Sequence, residues 1–276
     1  NQPMISSSEP ILSPDLLALD FDGVLCDGLL EYFEIARKTH QELWQFADPI
    51  APELAESFYR LRPVIETGWE MPVLIQALVD GHSIADIQSH WRSIAETIVQ
   101  RDQLTAAQLS QQLDSNRDRW IREDLDGWLA LHRFFPGVIE QLKTWLNPAN
   151  AYSSLEVVII TTKEERFVRQ LLDRAGVNHQ SLAIFGKATR QPKATTLKQW
   201  IGQKSNIWFV EDMLPTLNKV IQEPALDRVE LFLANWGYNT EGDRAQATQS
   251  DRIHCLSLEQ FVQPFSQWLT ITDSAH

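Results

Sequence analysis

Several side chains that could take part in catalysis or bind a metal stand directly after short apolar runs or at the start of a helical segment. They are four carboxylates, a threonine and a lysine: Asp20, Asp22, Thr161, Lys193, Glu211 and Asp212. Four carboxylates brought to one place would repel one another unless protons or a cation intervened. A hard, oxygen-only site of this kind suits Mg²⁺ that keeps some of its waters. We therefore expect the cluster of carboxylates to bind Mg²⁺, through Asp20, Asp22 and Asp212, with Glu211 as an additional ligand or a neighbour of the site.

The two-residue spacing of Asp20 and Asp22 allows two different roles in phosphoryl transfer. Asp20 would attack phosphorus as a nucleophile, and Asp22 would protonate the leaving oxygen and then deprotonate water. Thr161 would donate a hydrogen bond to a phosphoryl oxygen, and Lys193 would hold a positive charge against the same group. In-line positioning and spread positive charge are what this reaction chiefly requires.

Strands must place these groups together, and the apolar runs are of strand length. Leu16–Leu19 comes first, and after Phe134 strands alternate with helices. The expected later strands are Leu155–Ile160, Leu182–Phe185, Ile207–Val210, Val229–Ala234 and Ile253–Leu256. Helices are expected at Glu164–Ala175, Lys193–Ile201, Leu214–Ile221 and Leu258–Leu269, with a long polar loop at Asn239–Asp251. This alternation predicts an α/β fold with a doubly wound, Rossmann-like parallel sheet, whose ligands bind at the carboxyl ends of the strands.

Between the first strand and the others, helical spacing runs from about Leu29 to Leu131 without a convincing strand. The segments are Leu29–Phe46, Pro52–Leu61, Val64–Val79 and Ile84–Val99, and capping-box spacings stand at Ser83/Asp86 and Thr105/Gln108. An all-helical cap domain is therefore predicted as an insertion after the first strand. The predicted domains are a catalytic core at 1–28 and 133–276 and a cap at 29–132.

Composition restricts the partners of the chain. A net charge of −13 over 276 residues disfavours long nucleic acid, and no run of about 18–20 apolar residues predicts a membrane span. Only two cysteines occur, Cys26 and Cys255, which is typical of a reducing compartment. We expect a soluble cytoplasmic protein with a loose lead-in up to Pro14. The sequence carries no signal for an oligomeric state.

Substrate-binding residues are predicted in the cap, in a break marked by Gly68. Glu66 and Trp69 are expected to contact substrate; alternatively, Trp69 fills a core and Glu66 and Glu70 are solvated helix charges. Thr162 is a further candidate for substrate binding, but its spacing to Glu165 favours a helix cap. Lys187 competes with Lys193 for the role of the active-site lysine, and the position of Lys193 after Pro192 favours Lys193.

Taken in order, these motifs resemble the haloacid dehalogenase-like (HAD) superfamily over nearly the whole chain after Leu16. The motifs are Asp20-Phe21-Asp22-Gly23-Val24, Phe135-Pro136-Gly137-Val138, Ile159-Ile160-Thr161-Thr162-Lys163, Pro192-Lys193 and Phe209-Val210-Glu211-Asp212. The resemblance implies a mobile cap, Mg²⁺ and an aspartyl-phosphate intermediate. It assigns the nucleophile to Asp20, the general acid/base and a metal-binding backbone carbonyl to Asp22, and the metal carboxylate to Asp212. Thr161 becomes the phosphate-binding hydroxyl and Lys193 the stabilising lysine.

Differences from the family pattern fall in two motifs. Glu211 stands where glycine is usual, and Thr216 holds the position of a later acid, so either Glu211 or Asp212 could bind the metal. Thr162 replaces a common asparagine. Asp22 favours phosphate-ester hydrolysis or mutase chemistry. We expect a phosphoric monoester hydrolase acting on a small phosphorylated metabolite of the phosphoglycolate or sugar phosphate class. The alternatives are a phosphomutase and a non-catalytic binding or regulatory protein on the same fold.

Overall fold

The structure is a computed structural model that describes residues 13–45, 50–51, 53–149 and 152–269. These residues form two compact units: one from 13–25, 134–237 and 241–269, the other from 26–133 and 238–240. Most of the expected lead-in, and the predicted helix ends Phe46 and Pro52, lie outside the described residues. No helix in the described ranges is long and apolar enough to cross a bilayer.

The first unit is built on a six-stranded parallel sheet. Its strands are β1 (Leu16–Leu19), β4 (Glu156–Ile160), β5 (Ala183–Phe185), β6 (Ile207–Glu211), β7 (Glu230–Ala234) and β8 (Ile253–Leu256). They lie in the order β5-β4-β1-β6-β7-β8. β2 (Cys26–Asp27) and β3 (Arg133–Phe134) pair separately. Strand order reverses beside β1, as in a Rossmann sheet. The predicted α/β class is therefore confirmed, and the carboxyl ends of β1, β4 and β6 are neighbours.

Helices cover this sheet on both faces, as continuous apolar strands require. They are α7 (Val138–Leu146), α8 (Glu165–Arg174), α9 (Lys193–Lys198), α10 (Leu214–Ile221), α11 (Glu241–Thr248) and α12 (Leu258–Phe261). Two expectations were wrong here. The polar stretch at Asn239–Asp251 contains α11, because Ala247 is buried in the apolar core and fixes this segment against the sheet. The closing helix stops at Phe261, and after Pro264 only a 3₁₀ turn, Phe265–Gln267, follows.

The second unit holds the helices that interrupt the sheet sequence. They are α1 (Leu29–Leu43), α2 (Glu53–Leu61), α3 (Glu70–Val79), α4 (Ile84–Arg101), α5 (Ala106–Glu123) and α6 (Leu125–Leu129). Val64–Val79 is not one helix: a 3₁₀ turn, Arg62–Val64, ends at extended Ile65, and α3 starts five residues later. The capping box of Thr105 and Gln108 is confirmed.

Candidate active site

The carboxylates meet at the carboxyl ends of β1 and β6, which are adjacent in the sheet. Leu19 is in register with Val210, and the Asp20 backbone N–H donates to the Val210 carbonyl at 3.0 Å. Asp20 therefore lies beside Glu211, the last residue of β6. Asp20 is 7% exposed, and its Oδ1 accepts from the Phe21 N–H at 2.7 Å. The sheet register alone places these two acids together.

Lys193 bridges these two acids from the first turn of α9. Its Nζ lies 2.8 Å from Asp20 Oδ2 and 2.7 Å from Glu211 Oε2. Burial alone would lower the pKa of Lys193, but the charges of Asp20 and Glu211 raise it above its ordinary value. The ammonium is therefore permanently charged at neutral pH. Lys187, the competing candidate, is exposed on a 3₁₀ turn.

Burial changes the acidity of both paired carboxylates. It raises the pKa of Asp20 well above its ordinary value, and the charge of Glu211 raises it further, against the opposing effect of Lys193. Burial also raises the pKa of Glu211, which Lys193 lowers and Asp212 raises. One ammonium does not compensate the acids around it. Without a further cation the pair would tend to retain a proton.

Asp212 completes a buried acidic triad with Asp20 and Glu211. One carboxylate oxygen from each lies within 4.8 Å of the others, and Asp212 is 1% exposed. Glu211 Oε1 accepts from the backbone N–H groups of Asp212 and Met213 at 3.2 and 3.0 Å. With all groups ionised, three carboxylates and the Lys193 ammonium carry two net negative charges. That surplus and the oxygen donors fit a hard divalent cation.

The loop after β7 closes against Asp212. A Cβ on Gly237 would lie 2.3 Å from Asp212 Cβ and 2.4 Å from the Gly23 carbonyl oxygen. The neighbouring Trp236 anchors this loop by donating from Nε1 to the Val24 carbonyl at 3.1 Å. Only glycine fits at this position without displacing Asp212, the candidate metal ligand. The sequence analysis missed Gly237, although a glycine just beyond a strand end was a usable signal.

Asp22 has its own cation, separate from that of Asp20. Lys163 Nζ lies 3.2 Å from Asp22 Oδ2, while Asp22 Oδ1 is buried and has no hydrogen-bond partner among the described residues. The unpartnered oxygen can accept a hydrogen bond from a ligand. The sequence placed Lys163 in a motif but gave no indication that it would contact Asp22.

Thr161 and Thr162 differ in position although they are adjacent. Thr161 is buried, its N–H donates to the Phe185 carbonyl, and its Oγ1 accepts from the Lys163 N–H at 3.1 Å. Its hydroxyl proton is therefore available to a ligand. Thr162 is exposed, and α8 is preceded instead by Glu164, without a side-chain capping bond. The interpretation of Thr162 as a helix cap was wrong.

In the helical unit, Glu66 and Trp69 both line a cavity of about 250 Å³ against α4. Glu66 is exposed and Trp69 half-buried. Glu70 is 9% exposed and accepts hydrogen bonds from its loop, so its interpretation as a solvated helix charge was wrong.

Arg62, which the sequence analysis overlooked, begins the same segment. Its guanidinium carbon lies 4.9 and 4.6 Å from the ring centroids of Tyr32 and Tyr238. Nη1 donates to the Ile65 carbonyl at 3.1 Å, while Nε is buried without a hydrogen-bond partner. No carboxylate among the described residues pairs with it. Arg62 is thus a cation with donor capacity left for an anion.

Comparison with known proteins decides the family. The model of the haloacid dehalogenase-like hydrolases matches residues 14–215. The chain belongs to this family. No curated protein matches its sequence significantly.

Solved structures share the fold of this hydrolase at low identity. A predicted phosphatase from Clostridium acetobutylicum has a TM-score of 0.55 at 11% identity, covering 90% of this chain and 96% of its own. A predicted phosphoglycolate phosphatase from Haemophilus somnus has a TM-score of 0.53 at 15%, covering 87% and 92%. A haloacid dehalogenase-like family hydrolase from Streptococcus pneumoniae has a TM-score of 0.50 at 15%, covering 86% and 92%. These likenesses concern the fold.

Proposed function

We propose that this hydrolase is a Mg²⁺-dependent phosphatase of small phosphorylated metabolites. The observation that carries the proposal is the pairing of the two aspartates with two different lysines: Asp20 with Lys193, and Asp22 with Lys163. Separate partners give the two carboxyl groups separate environments, which a nucleophile and a general acid/base require.

In the proposed reaction, an Asp20 carboxylate oxygen forms a bond to phosphorus as the bond from phosphorus to the ester oxygen breaks. The leaving oxygen takes a proton from Asp22. Water then attacks the aspartyl phosphate, Asp22 accepts its proton, and inorganic phosphate and the Asp20 carboxylate are restored. Thr161 donates a hydrogen bond to a phosphoryl oxygen, and the Lys193 ammonium offsets negative charge on the transferring group.

Asp20, Asp212 and the backbone carbonyl of Asp22 would hold Mg²⁺, which when bound supplies positive charge that keeps Asp20 ionised and screens the phosphoryl oxygens. Asp212 stands at the position of the metal carboxylate in the family motif, and we assign it that role. Glu211 lies in the same acidic triad, where its Oε2 contacts Lys193 and its Oε1 accepts from the backbone of Asp212 and Met213; we propose that it supports the site.

For the substrate we propose the phosphoglycolate or sugar phosphate class, bound by Glu66, Trp69 and Thr162. The cation at Arg62 supports a substrate that carries a second anionic group besides the phosphate, and hence phosphoglycolate over a sugar phosphate. We assign residues 29–132 as the cap and 1–28 with 133–276 as the catalytic core. The two free cysteines support a cytoplasmic location.

Phosphate release from p-nitrophenyl phosphate, with Mg²⁺ and with EDTA, tests the proposal. Asp20→Asn should abolish release while the melting temperature is maintained, whereas the exposed control Asp251→Asn should retain full activity. An active Asp20→Asn enzyme would refute the assignment. A panel including 2-phosphoglycolate and glucose 6-phosphate separates the alternatives. A mutase would give an isomerised sugar phosphate that requires a bisphosphate primer, and a binding protein would release no phosphate.

A further inference from the structure

One buried carboxylate organises the loop that precedes α3. Glu70 Oε2 accepts from the Glu66 N–H at 2.9 Å, the Thr67 N–H at 2.6 Å and the Thr67 hydroxyl at 3.0 Å. These three bonds fold residues 66–70 into a closed turn. Glu70 stands at the first position of α3, where a negative charge also faces the positive end of the helix.

The other oxygen of Glu70 fixes this turn to a different helix. Glu70 Oε1 accepts from Trp91 Nε1 on α4 at 2.8 Å, and Trp91 is 7% exposed. The carboxylate therefore connects the turn to a buried neighbour 21 residues away. Neither connection depends on residues outside the helical unit.

Glu66 and Trp69, the proposed substrate contacts, are held between these bonds. Both line the cavity that Trp91 and Glu70 also line. We propose that Glu70 is a positioning residue: both of its oxygens accept from donors of the helical unit, and it acts on the substrate through Glu66 and Trp69. This inference rests on the proposed function and deepens it, because it makes substrate selectivity depend on one Glu70–Trp91 connection.

A carboxylate is required because all four groups around it are donors. An amide at the same position has one acceptor oxygen and one donor nitrogen. In Glu70→Gln, the nitrogen must face either the indole N–H of Trp91 or the N–H groups of Glu66 and Thr67. One side of the connection is then lost, although the side-chain volume is kept.

The experiment compares Glu70→Gln and Trp91→Phe with control variants that carry the same two substitutions, Glu to Gln and Trp to Phe, at other positions. Glu123→Gln removes an exposed charge at the end of α5, and Trp120→Phe removes an indole N–H from the same helix. Amide hydrogen exchange at Glu66 and Thr67 reports the turn directly. Steady-state kinetics use p-nitrophenyl phosphate and whichever of 2-phosphoglycolate and glucose 6-phosphate the wild type hydrolyses.

We expect both test variants to speed exchange at Glu66 and Thr67 and to raise KM for the metabolite about tenfold or more, since small misplacements of positioning groups cost one to two orders of magnitude. The kcat for p-nitrophenyl phosphate should change less than about twofold, because the groups that react are untouched. Both controls should match the wild type.

Three results would overturn the inference: unchanged exchange in both variants, faster exchange with unchanged KM, or an equal loss of kcat for both substrates. Failure of the proposed function is distinct, because the wild type itself would release no phosphate from any ester. If an unstable Glu70→Gln protein prevents kinetics, Trp91→Phe alone decides the matter.

Discussion

Replacing Lys193 by methionine should destabilise the metal-free protein strongly. The lost ammonium makes contacts of 2.8 and 2.7 Å with Asp20 and Glu211, whose side chains are 9% and 1% exposed. Methionine keeps a similar length but leaves two carboxylates buried side by side without their cation. Breaking a buried ion pair in this way costs about 3–5 kcal/mol of unfolding free energy.

The pH dependence gives this prediction its sign. Burial raises the pKa of Asp20 and of Glu211, and loss of Lys193 removes the effect that lowers both. A carboxyl group whose pKa is raised in the folded state stabilises the fold at low pH and loses that contribution as pH rises through the folded pKa. Lys193→Met should therefore be most destabilised at neutral pH and recover as the pH falls toward about 5.

Thermal unfolding in EDTA at pH 7.5 and 5.5 measures both effects. A loss of 3–5 kcal/mol corresponds to a fall of roughly 10 °C in Tm at pH 7.5, with a smaller fall at pH 5.5. The exposed Lys187→Met is the matched control and should unfold like the wild type. Equal Tm values for Lys193→Met and wild type at pH 7.5, or a larger difference at pH 5.5, would refute the buried-charge argument.

Three further predictions use other contacts. Gly237→Ala should lower phosphatase activity at least tenfold, because its Cβ would displace Asp212 or the Gly23 carbonyl. The control Gly202→Ala has nothing within 4 Å of its new Cβ, so it should keep full activity and lose only about 1 kcal/mol of stability at its positive φ. Equal activities of the two variants would contradict the prediction. Mg²⁺ should raise the wild-type Tm more at pH 8 than at pH 5.5, because protons compete with the metal for Asp20, whose pKa is raised by burial; differential scanning calorimetry would contradict this by showing the reverse order. Arg117→Met should destabilise the helical unit by about 3–5 kcal/mol in urea, because Glu31, 1% exposed, loses its 2.7 Å partner; an unchanged midpoint would count against it.

The parallel sheet could be predicted because each strand is a short apolar run between turn residues. Helix α10 (Leu214–Ile221) and strand β8 (Ile253–Leu256) even begin and end at the predicted residues. The polar helix α11 could not be recognised, since its only buried position is Ala247. The break before α3 depends on Glu70, whose carboxylate accepts hydrogen bonds from the backbone N–H groups of Glu66 and Thr67. The spacing of apolar residues does not reveal such bonds.

Candidate site residues were predictable where strand ends supply them, because a parallel sheet brings those ends together whatever the loops do. Asp20, Thr161 and Glu211 follow that rule. Lys163 and Gly237 do not, because their places depend on loop conformation: Lys163 turns toward Asp22, and Gly237 is selected by a 2.3 Å approach to Asp212. Such contacts join residues with no regular spacing in the sequence.

Two buried charge clusters in this chain differ in the property that separates a metal site from a structural ion pair. Glu31 accepts from a guanidinium nitrogen of Arg117 at 2.7 Å and from the Trp128 Nε1–H at 3.0 Å, so its buried charge already faces a cation of the protein. Asp20 and Glu211 share the ammonium of Lys193, and with Asp212 they bring three carboxylates to one place. Burial is costly for both, but only the second cluster gains from a divalent cation. Mg²⁺ should therefore stabilise the sheet unit and leave the stability of the helical unit unchanged. Which unit responds to Mg²⁺ then shows which unit holds the metal site.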